Sequence, residues 1–550
     1  MTAALRSPDE VMRLDRLGAA HATRLSFLRA LLRRVEAEGW TYSRTAWEID
    51  PEGFGHAVLT VASPRSTYSL VAFSTPLADE MRTDRVIAEA WDTSYVLYDG
   101  VPAAAEIERL RANAPRQEAG RFTERDLVLA RANKSVRLFA HVADSLAGGR
   151  QPDAALLAGV GYLMRTTAVY GNGKFGIADR DHIAGRPELA GPFRAEMLAV
   201  WLIRSFTLDL VEHVAAARGG ASAVRLDPDL RRSLGVGNST GLGMAPFLVR
   251  HPLLVHRWFN ARETALARVR ALPAASQTQQ AVFRAALTAM RSTVARWHTE
   301  DPVQAPRVAG LAADLDALAE AAGPLLVGPA PWDALYRHAE ACLSLEAQEA
   351  VVALVLEPNG AVVDDLADAM GADEDAVFRI DGRMSVADLR ARLGEAYAWV
   401  RRFDFADPAN DARFWYVSEE KLEPRLGERR AEEGAEREQP LAVARDMSRL
   451  IDTLAAAPAE ESLAAFLMRR PDVRHLVRRA QIAVAHPYAE VRDNLVAAGM
   501  RPVDLLRAKL AFFGASRFDP RSDRWLRIAL FADAPFPEEI CRLAAERMAS

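Results

Sequence analysis

The hydrophobic period of the sequence changes near residue 123, and this change restricts the possible fold more than any other feature. Residues 40–49, 56–62 and 68–74 are rich in β-branched and aromatic side chains, and turn-forming Pro, Gly, Asp and Ser residues separate them. This pattern is typical of an antiparallel β-meander, with 86–98 as a candidate for a fourth strand. From Thr123 onward the apolar residues recur at helical spacing almost throughout.

The sequence therefore predicts a predominantly α-helical fold with a small N-terminal α+β domain that contains the antiparallel β-meander. One helix is predicted over 8–38, and further helices are predicted over 123–146, 154–170 and 192–217. We divide the chain into five segments. They are a small α+β domain at 1–115, a helical domain with two glycine-rich loops at 116–300, a helical domain at 301–403, a charged linker or hairpin at 404–440 and a C-terminal helical domain at 441–550.

Composition and charge argue against several classes of protein. Hydrophobic residues make up 50% and charged residues 26% of the 550 residues, and the net charge is -5. These values are ordinary for a globular protein and make nucleic acid an unexpected partner. The two cysteines lie far apart, which excludes a disulfide framework and a cysteine-rich zinc site. Since we find no long apolar run and no secretory signal, we expect no membrane span and a cytoplasmic location.

A glycine-rich stretch at 235–246 concentrates residues that tolerate positive φ or donate hydrogen bonds. Its glycines include Gly237 and Gly241, and its polar side chains are Asn238, Ser239 and Thr240. Consecutive N–H groups in such a turn can hold an anion. The stretch lacks the preceding apolar strand of a dinucleotide fingerprint and the final lysine of a P-loop. Two interpretations remain, an anion-binding loop between helices and a simple helix–helix connection.

A second glycine-rich stretch, at 170–176, carries a lysine. Asn172, Gly173 and Lys174 offer hydrogen-bond donors, and Tyr170 is a candidate acid or base. A lysine that is removed from water becomes a base or a nucleophile because its pKa falls. The alternative is a lysine that is only solvated, as most loop lysines are.

Three further residues complete the predicted site. Arg165 precedes the 170–176 stretch by about one helical turn, His182 follows that stretch, and His251 follows the 235–246 stretch. Arginine suits anion binding, and histidine exchanges protons near neutral pH. The histidine spacing fits no metal motif, so no metal is predicted, and the sequence identifies no cofactor.

These residues predict a cytoplasmic enzyme that binds a small anionic metabolite, a carboxylate or a phosphate, between helices. Lys174, Tyr170, His182 and His251 are the candidates for acid–base catalysis, in a lyase, transferase or isomerase. The alternative is a helical scaffold or regulatory protein that binds an acidic partner or nucleic acid through the basic residues at 469–479. A homo-oligomer is compatible with either function.

One arginine lies in the most apolar helix that the sequence predicts. Arg204 has Val200 and Leu208 four residues away on either side, so no carboxylate at that spacing pairs with it. A guanidinium that is buried needs a partner. We expect an ion pair with a distant acidic side chain, and a bound anion is the alternative.

Overall fold

The structure is a computed structural model, and the chain in it forms two compact units that alternate along the sequence. Unit 1 comprises Met1–His21, Leu242–Leu287 and Ala313–Lys509, and unit 2 comprises Ala22–Gly241, Thr288–Ala312 and Leu510–Ser550. The division of the sequence into five segments stays a prediction. The structure describes residues 4–18, 21–81, 90–116, 122–166, 185–189, 191–241, 251–370, 380–407, 415–417, 424–426, 439–440, 443–490, 502–522 and 525–540.

The strands lie mostly in unit 2. In chain order they are β1 (Thr41–Ile49), β2 (Gly55–Ala62), β3 (Thr67–Ser74), β4 (Thr93–Asp99), β5 (Asp126–Lys134), β6 (Tyr162–Thr166), β7 (Gly235–Gly241), β8 (Trp415–Val417), β9 (Pro424–Leu426), β10 (Gln439–Pro440), β11 (Arg517–Ser522) and β12 (Trp525–Leu530). Nine of these described strands form one sheet in the spatial order β1-β2-β3-β4-β5-β6-β7-β12-β11. Neighbouring strands in it are antiparallel except β6 and β7, which run parallel. The short strands β8, β9 and β10 pair with one another in unit 1.

Helices form most of the remaining described chain. They are α1 (Pro8–Val11), α2 (Leu14–Gly18), α3 (Phe27–Ala37), α4 (Ala104–Asn113), α5 (Phe139–Ala147), α6 (Ala154–Val160), α7 (Arg194–Gly219), α8 (Pro228–Ser233), α9 (Pro252–Arg270), α10 (Gln277–Ala295), α11 (Gln304–Val327), α12 (Pro331–Cys342), α13 (Leu345–Leu356), α14 (Gly360–Val363), α15 (Val386–Ala396), α16 (Val443–Ala455), α17 (Leu463–Arg469), α18 (Arg474–Ala485) and α19 (Pro502–Phe513). The helix predicted over 192–217 is confirmed by α7. The single helix predicted over 8–38 is wrong, because α1, α2 and α3 share that range. None of the described helices combines the length and the apolar character that crossing a membrane requires.

The predicted fold class is wrong, because the sheet extends far beyond a small N-terminal domain. The predicted meander is present as β1 to β4, but β5, β6, β7, β12 and β11 continue it to nine strands. β5 and β6 occupy sequence for which helices over 123–146 and 154–170 are predicted. Nearly every residue of these two strands is buried, and a strand covered on both faces lacks the alternation that distinguishes it from a buried helix.

Helices cover both faces of the sheet in unit 2. On one face, Phe206 of α7 packs against Tyr95 of β4, with ring centroids 5.8 Å apart. On the other face, Leu110 of α4 shares a core with Val71 and Val96. Tyr95 and Val96 are adjacent on β4 and therefore point to opposite faces. Polar side chains on this buried sheet need hydrogen-bond partners, so each of them needs a structural or functional explanation.

Unit 1 has a helical core of its own. Leu389 of α15 and Leu476 of α18 are buried in the same apolar cluster. The N-terminal residues are held by ion pairs, since Arg6 Nε lies 2.7 Å from Glu263 Oε2 and Arg6 Nη1 lies 3.0 Å from Glu349 Oε1. Both carboxylates are fully buried, so the guanidinium offsets charge that would otherwise oppose folding.

Candidate functional site

Strands β6 and β7 are the place where the sheet changes from antiparallel to parallel pairing. Because the two strands run in the same direction, their carboxyl ends at Thr166 and Gly241 lie at the same edge of the sheet. Arg165 pairs with Gly237 across the two strands. The Nδ2 of buried Asn238 donates to the carbonyl oxygen of Thr166 at 2.7 Å. Three of the residues that the sequence predicts for the site, Arg165, Gly237 and Asn238, are therefore neighbours.

The sequence predicts a loop at 235–246, and this is wrong for residues 235–241, which form strand β7. Anion binding by these residues stays a prediction. Gly237 has a packing role, since a Cβ at this position would lie 2.2 Å from the ring of Tyr162. Gly235 has another, since a Cβ there would lie 2.4 Å from the carbonyl oxygen of Leu530. Ser239, Thr240 and Gly241 belong to the same strand, and their side chains lie outside the described residues. Glycines in a strand mark the close approach of another group, which here is a ring and a backbone.

A second arginine lies on the same face of the sheet as Arg165. Asn133 of β5 is directly opposite Arg165 of β6, so the two side chains share a face. Arg131 lies two residues before Asn133 on β5 and points to that face as well. Diagonal neighbours of this kind lie about 7–8 Å apart. Arg131 is 9% exposed and Arg165 is 7% exposed, so the sheet brings two cationic side chains together away from bulk water.

Trp91 lies over the first of these arginines. The guanidinium carbon of Arg131 is 3.5 Å from the centroid of the Trp91 ring, which is van der Waals contact with the face of the indole. The carboxamide of Asn133 holds the chain on both sides of Trp91: its Oδ1 accepts from the backbone N–H of Asp92 at 2.9 Å, and its Nδ2 donates to the carbonyl oxygen of Ala90 at 2.9 Å. The carboxamide of Asn133 therefore fixes the backbone on either side of Trp91.

The indole N–H of Trp91 is buried and has no hydrogen-bond partner in the described part of the chain. A buried donor without a partner costs free energy and needs a physical explanation. Burial also lowers the pKa of Arg131 to about 10. This value is well above neutral pH, so the side chain is charged at pH 7 and donates charge-assisted hydrogen bonds.

We name Trp91, Arg131 and Arg165 the guanidinium–indole cluster. The sequence analysis identifies Arg165 but misses the other two residues. The reason is the helix predicted over 123–146, on which Arg131 and Asn133 would point in different directions. A signal is nevertheless present, because Arg131 and Asn133 are polar residues at strand spacing at the end of the apolar segment that begins at Leu127.

Of the six predicted site residues that remain, the structure describes only His251. Tyr170, Asn172, Gly173, Lys174 and His182 lie outside the described residues. His251 belongs to unit 1 and directly precedes α9, with its side chain partly buried. The roles predicted for these six residues stay predictions.

Three of the five arginines in the basic stretch 469–479, on which the alternative function depends, form ion pairs within unit 1. Arg469 pairs with Glu461, and Arg470 pairs with Asp472 at 2.9 Å. Arg479 pairs with Asp446 and Glu490 at 3.0 and 2.9 Å. These contacts reduce the positive potential that an acidic partner or a nucleic acid would meet.

Other candidate sites are weaker. An open depression of about 440 Å³ in unit 2 is lined by Glu52, Phe54 and Arg218, far along the chain from the predicted site residues. Within the described ranges, no three His, Cys, Asp or Glu side chains converge in a way that would hold a metal ion. Comparison of the chain with protein-family models, curated proteins and solved structures found no match.

Proposed function

We propose that the protein binds a small anionic metabolite, a carboxylate or a phosphate, at the guanidinium–indole cluster. One observation carries the proposal: Arg131 and Arg165 lie on one face of neighbouring strands, and both side chains are buried. Guanidinium groups donate charge-assisted hydrogen bonds to carboxylate and phosphate oxygens. Desolvation strengthens the attraction, because charges interact more strongly in a medium of low dielectric constant.

The proposal includes an enzymatic activity by acid–base chemistry in the cytoplasm. This activity is supported by the sequence that follows β6. The strand carries Arg165 and ends at Thr166, and the next segment, 167–184, contains Tyr170, Lys174 and His182. Each of these side chains can take up or release a proton. The class of reaction and a homo-oligomeric state stay predictions from the sequence, which identifies no cofactor.

The test is a thermal-shift titration of the full chain against small carboxylates, phosphates, nucleotides and coenzyme A esters. A ligand that binds only the native state raises the melting temperature as its concentration exceeds the dissociation constant. We expect Arg131→Gln and Arg165→Gln each to weaken binding of a stabilising anion by roughly ten-fold or more, since each removes a charge-assisted hydrogen bond.

A matched control is Arg44→Gln. Arg44 also lies on a strand and over a tryptophan, at 4.8 Å from the Trp47 ring centroid, but on the exposed edge strand β1. This variant should bind the anion as the unaltered chain does. Equal loss of binding in all three variants, or undiminished binding in both cluster variants, would contradict the proposal. So would the absence of any stabilising anion.

A further inference from the structure

One guanidinium group in unit 1 pairs with two carboxylates. Nη1 of Arg479 on α18 donates to Asp446 on α16 at 3.0 Å, while Nε and Nη2 donate to Glu490 at 3.0 and 2.9 Å. Glu490 follows the 3₁₀ helix Pro487–Ala489, so these contacts join three separate parts of the chain of unit 1. We name Asp446, Arg479 and Glu490 the carboxylate–arginine triad. When both carboxylates are ionised, two negative charges face one positive charge.

The triad lies beside the apolar core of unit 1. The side chains of Asp446, Arg479 and Glu490 are 13%, 19% and 6% exposed. Met447 and Ala480, which follow Asp446 and Arg479 in the chain, are buried in the core cluster. A charge in such surroundings depends on the groups that contact it, because little water is present to solvate it.

The two carboxylates are held unequally. Glu490 accepts from two nitrogens of Arg479 and from the hydroxyl of Tyr397, at 3.4 Å, whereas Asp446 accepts from one nitrogen of Arg479. Burial raises the pKa of Asp446 to about 6, Arg479 opposes this rise, and the charge of Glu490 adds to it. Asp446 is therefore the carboxylate of the triad that binds a proton near neutral pH.

The other charged groups around Asp446 are cations of its own helix and exposed groups of neighbouring elements. Arg445 and Arg449 of α16 also oppose the rise in its pKa. On α18, partial burial and the charges of Arg449 and Arg479 lower the pKa of His475, so this histidine is mostly neutral at pH 7. The remaining charged side chains of the elements packed against α16 are exposed to water: Asp388, Arg390, Arg392 and Glu395 of α15, Arg401 and Arg402 after it, and Arg474 and Arg478 of α18.

We propose that the carboxylate–arginine triad is a pH-sensitive switch, in which Asp446 takes up a proton as the pH falls below neutral and unit 1 becomes more stable. The proton removes the excess negative charge and leaves Arg479 to pair with Glu490. The switch thereby links the packing of α16 against α18 to pH.

The sign follows from the two pKa values of Asp446. In the folded chain its pKa is about 6, and the ordinary value for an aspartate is 3.8. Between about pH 4 and pH 6 the folded chain therefore binds more protons than the unfolded chain, and its stability rises as the pH falls. Above about pH 7 both states are deprotonated at Asp446, and its contribution no longer changes with pH.

The experiment measures hydrogen exchange of the full chain by mass spectrometry at pH 7.5 and pH 5.0, as protection relative to an unstructured peptide at the same pH. Asp446→Asn places a neutral side chain of the same shape in the triad at both pH values. We expect this variant to protect α16 and α18 more strongly than the unaltered chain at pH 7.5, and this ratio to shrink by roughly ten-fold at pH 5.0.

Asp472→Asn is the matched control. Asp472 also lies in unit 1 and pairs with an arginine, Arg470, at 2.9 Å, but both side chains are exposed. The hydrogen bond from Arg470 lowers the pKa of Asp472 to about 2, so this carboxylate stays ionised at both pH values. Its substitution should not increase the protection of α16 and α18 at pH 7.5, and the ratio to the unaltered chain should be the same at pH 5.0.

A second readout follows the proton directly. The carboxyl carbon of Asp446 can be observed by NMR in chain labelled at aspartate, and it is assigned as the signal that Asp446→Asn lacks. We expect a titration midpoint near pH 6. Glu490→Gln should lower this midpoint, because it removes the negative charge that competes for Arg479.

Three results would overturn the proposal. The first is an Asp446 signal that titrates below pH 5. The second is a midpoint that Glu490→Gln leaves unchanged, since burial alone would then set it. The third is an Asp446→Asn variant whose protection of α16 and α18, relative to the unaltered chain, is the same at the two pH values.

Discussion

At the scale of single residues, Arg204 is a buried cation whose hydrogen bonds within the described chain go to backbone carbonyls and not to a carboxylate. Its Nε donates to the carbonyl oxygen of Leu234, and its two terminal nitrogens donate to those of Ala534 and Arg232, each at 2.7 Å. Its guanidinium carbon lies 4.1 Å from the ring centroid of Phe536. The ion pair that the sequence predicts for Arg204 is therefore wrong, because backbone carbonyls satisfy the guanidinium. Burial lowers its pKa to about 9, which leaves it charged at pH 7.

Replacing Arg204 should be far more costly than replacing an exposed arginine of the same helix. Arg204→Met keeps most of the aliphatic volume but removes three charge-assisted hydrogen bonds, so we expect the free energy of unfolding to fall by about 3 kcal/mol or more. The carbonyl oxygens of Ala534 and Arg232 keep one other donor each, Arg232 Nη1 at 3.2 Å and the backbone N–H of Asp533 at 2.9 Å. Urea denaturation measures this change. Arg218→Met is the control, since Arg218 is exposed and pairs with exposed Asp144, and its loss should cost less than about 1 kcal/mol. Similar losses in the two variants would contradict this account of Arg204.

At the scale of elements, the glycines of β7 fit packing contacts within the sheet. Gly237→Ala would place a methyl group 2.2 Å from the Tyr162 ring of β6, so the parallel pair must separate or the ring must move. We expect a loss of about 1–3 kcal/mol in the free energy of unfolding, measured by urea denaturation. In a Tyr162→Ala background Gly237→Ala should cost less, because alanine lacks the Cγ, Cδ1 and Cδ2 atoms that the methyl group would meet.

Gly310 provides the comparison for this prediction. It lies in α11, and nothing lies within 4 Å of the position that its Cβ would take. Gly310→Ala should therefore stabilise the protein slightly, by roughly 0.5–1 kcal/mol, because alanine favours the helix. A Gly237→Ala variant as stable as Gly310→Ala would show that the contact with Tyr162 does not constrain β7.

The elements also show how far the sequence could predict the fold and the site. β1 to β3 were predictable, because β-branched residues and turn chemistry agree there. β5 was not, because its burial on both faces removes the alternation on which strand prediction depends. From the sequence alone, Gly235 and Gly237 indicate a turn. In the structure these positions need glycine because a Cβ would clash with Leu530 or Tyr162, and both of these residues are distant in sequence. Arg165 was identified by its charge, but its neighbour Arg131 follows only from the pairing of β5 with β6.

At the scale of the whole molecule, each unit depends on segments that are far apart in the chain. In unit 2, β12 pairs with β7 along six residues, from Trp525 opposite Gly241 to Leu530 opposite Val236. Ala534, which follows β12, accepts a hydrogen bond from Arg204 of α7. Contacts over such sequence separations slow folding, because closing a long loop costs entropy before the contact can offset it.

A chain that ends at Lys509 should lose the structure of unit 2 selectively. The truncation removes β11, β12 and Ala534, which leaves β7 without a strand on one side and Arg204 without one of its three acceptors. All segments of unit 1 remain in the shortened chain. We therefore expect hydrogen exchange followed by mass spectrometry to show fast exchange in β6 and β7 and retained protection in α13. Full protection of β7 in the truncated chain would mean that the sheet is stable without strands β11 and β12. Loss of protection in α13 would mean that unit 1 cannot fold unless unit 2 is intact.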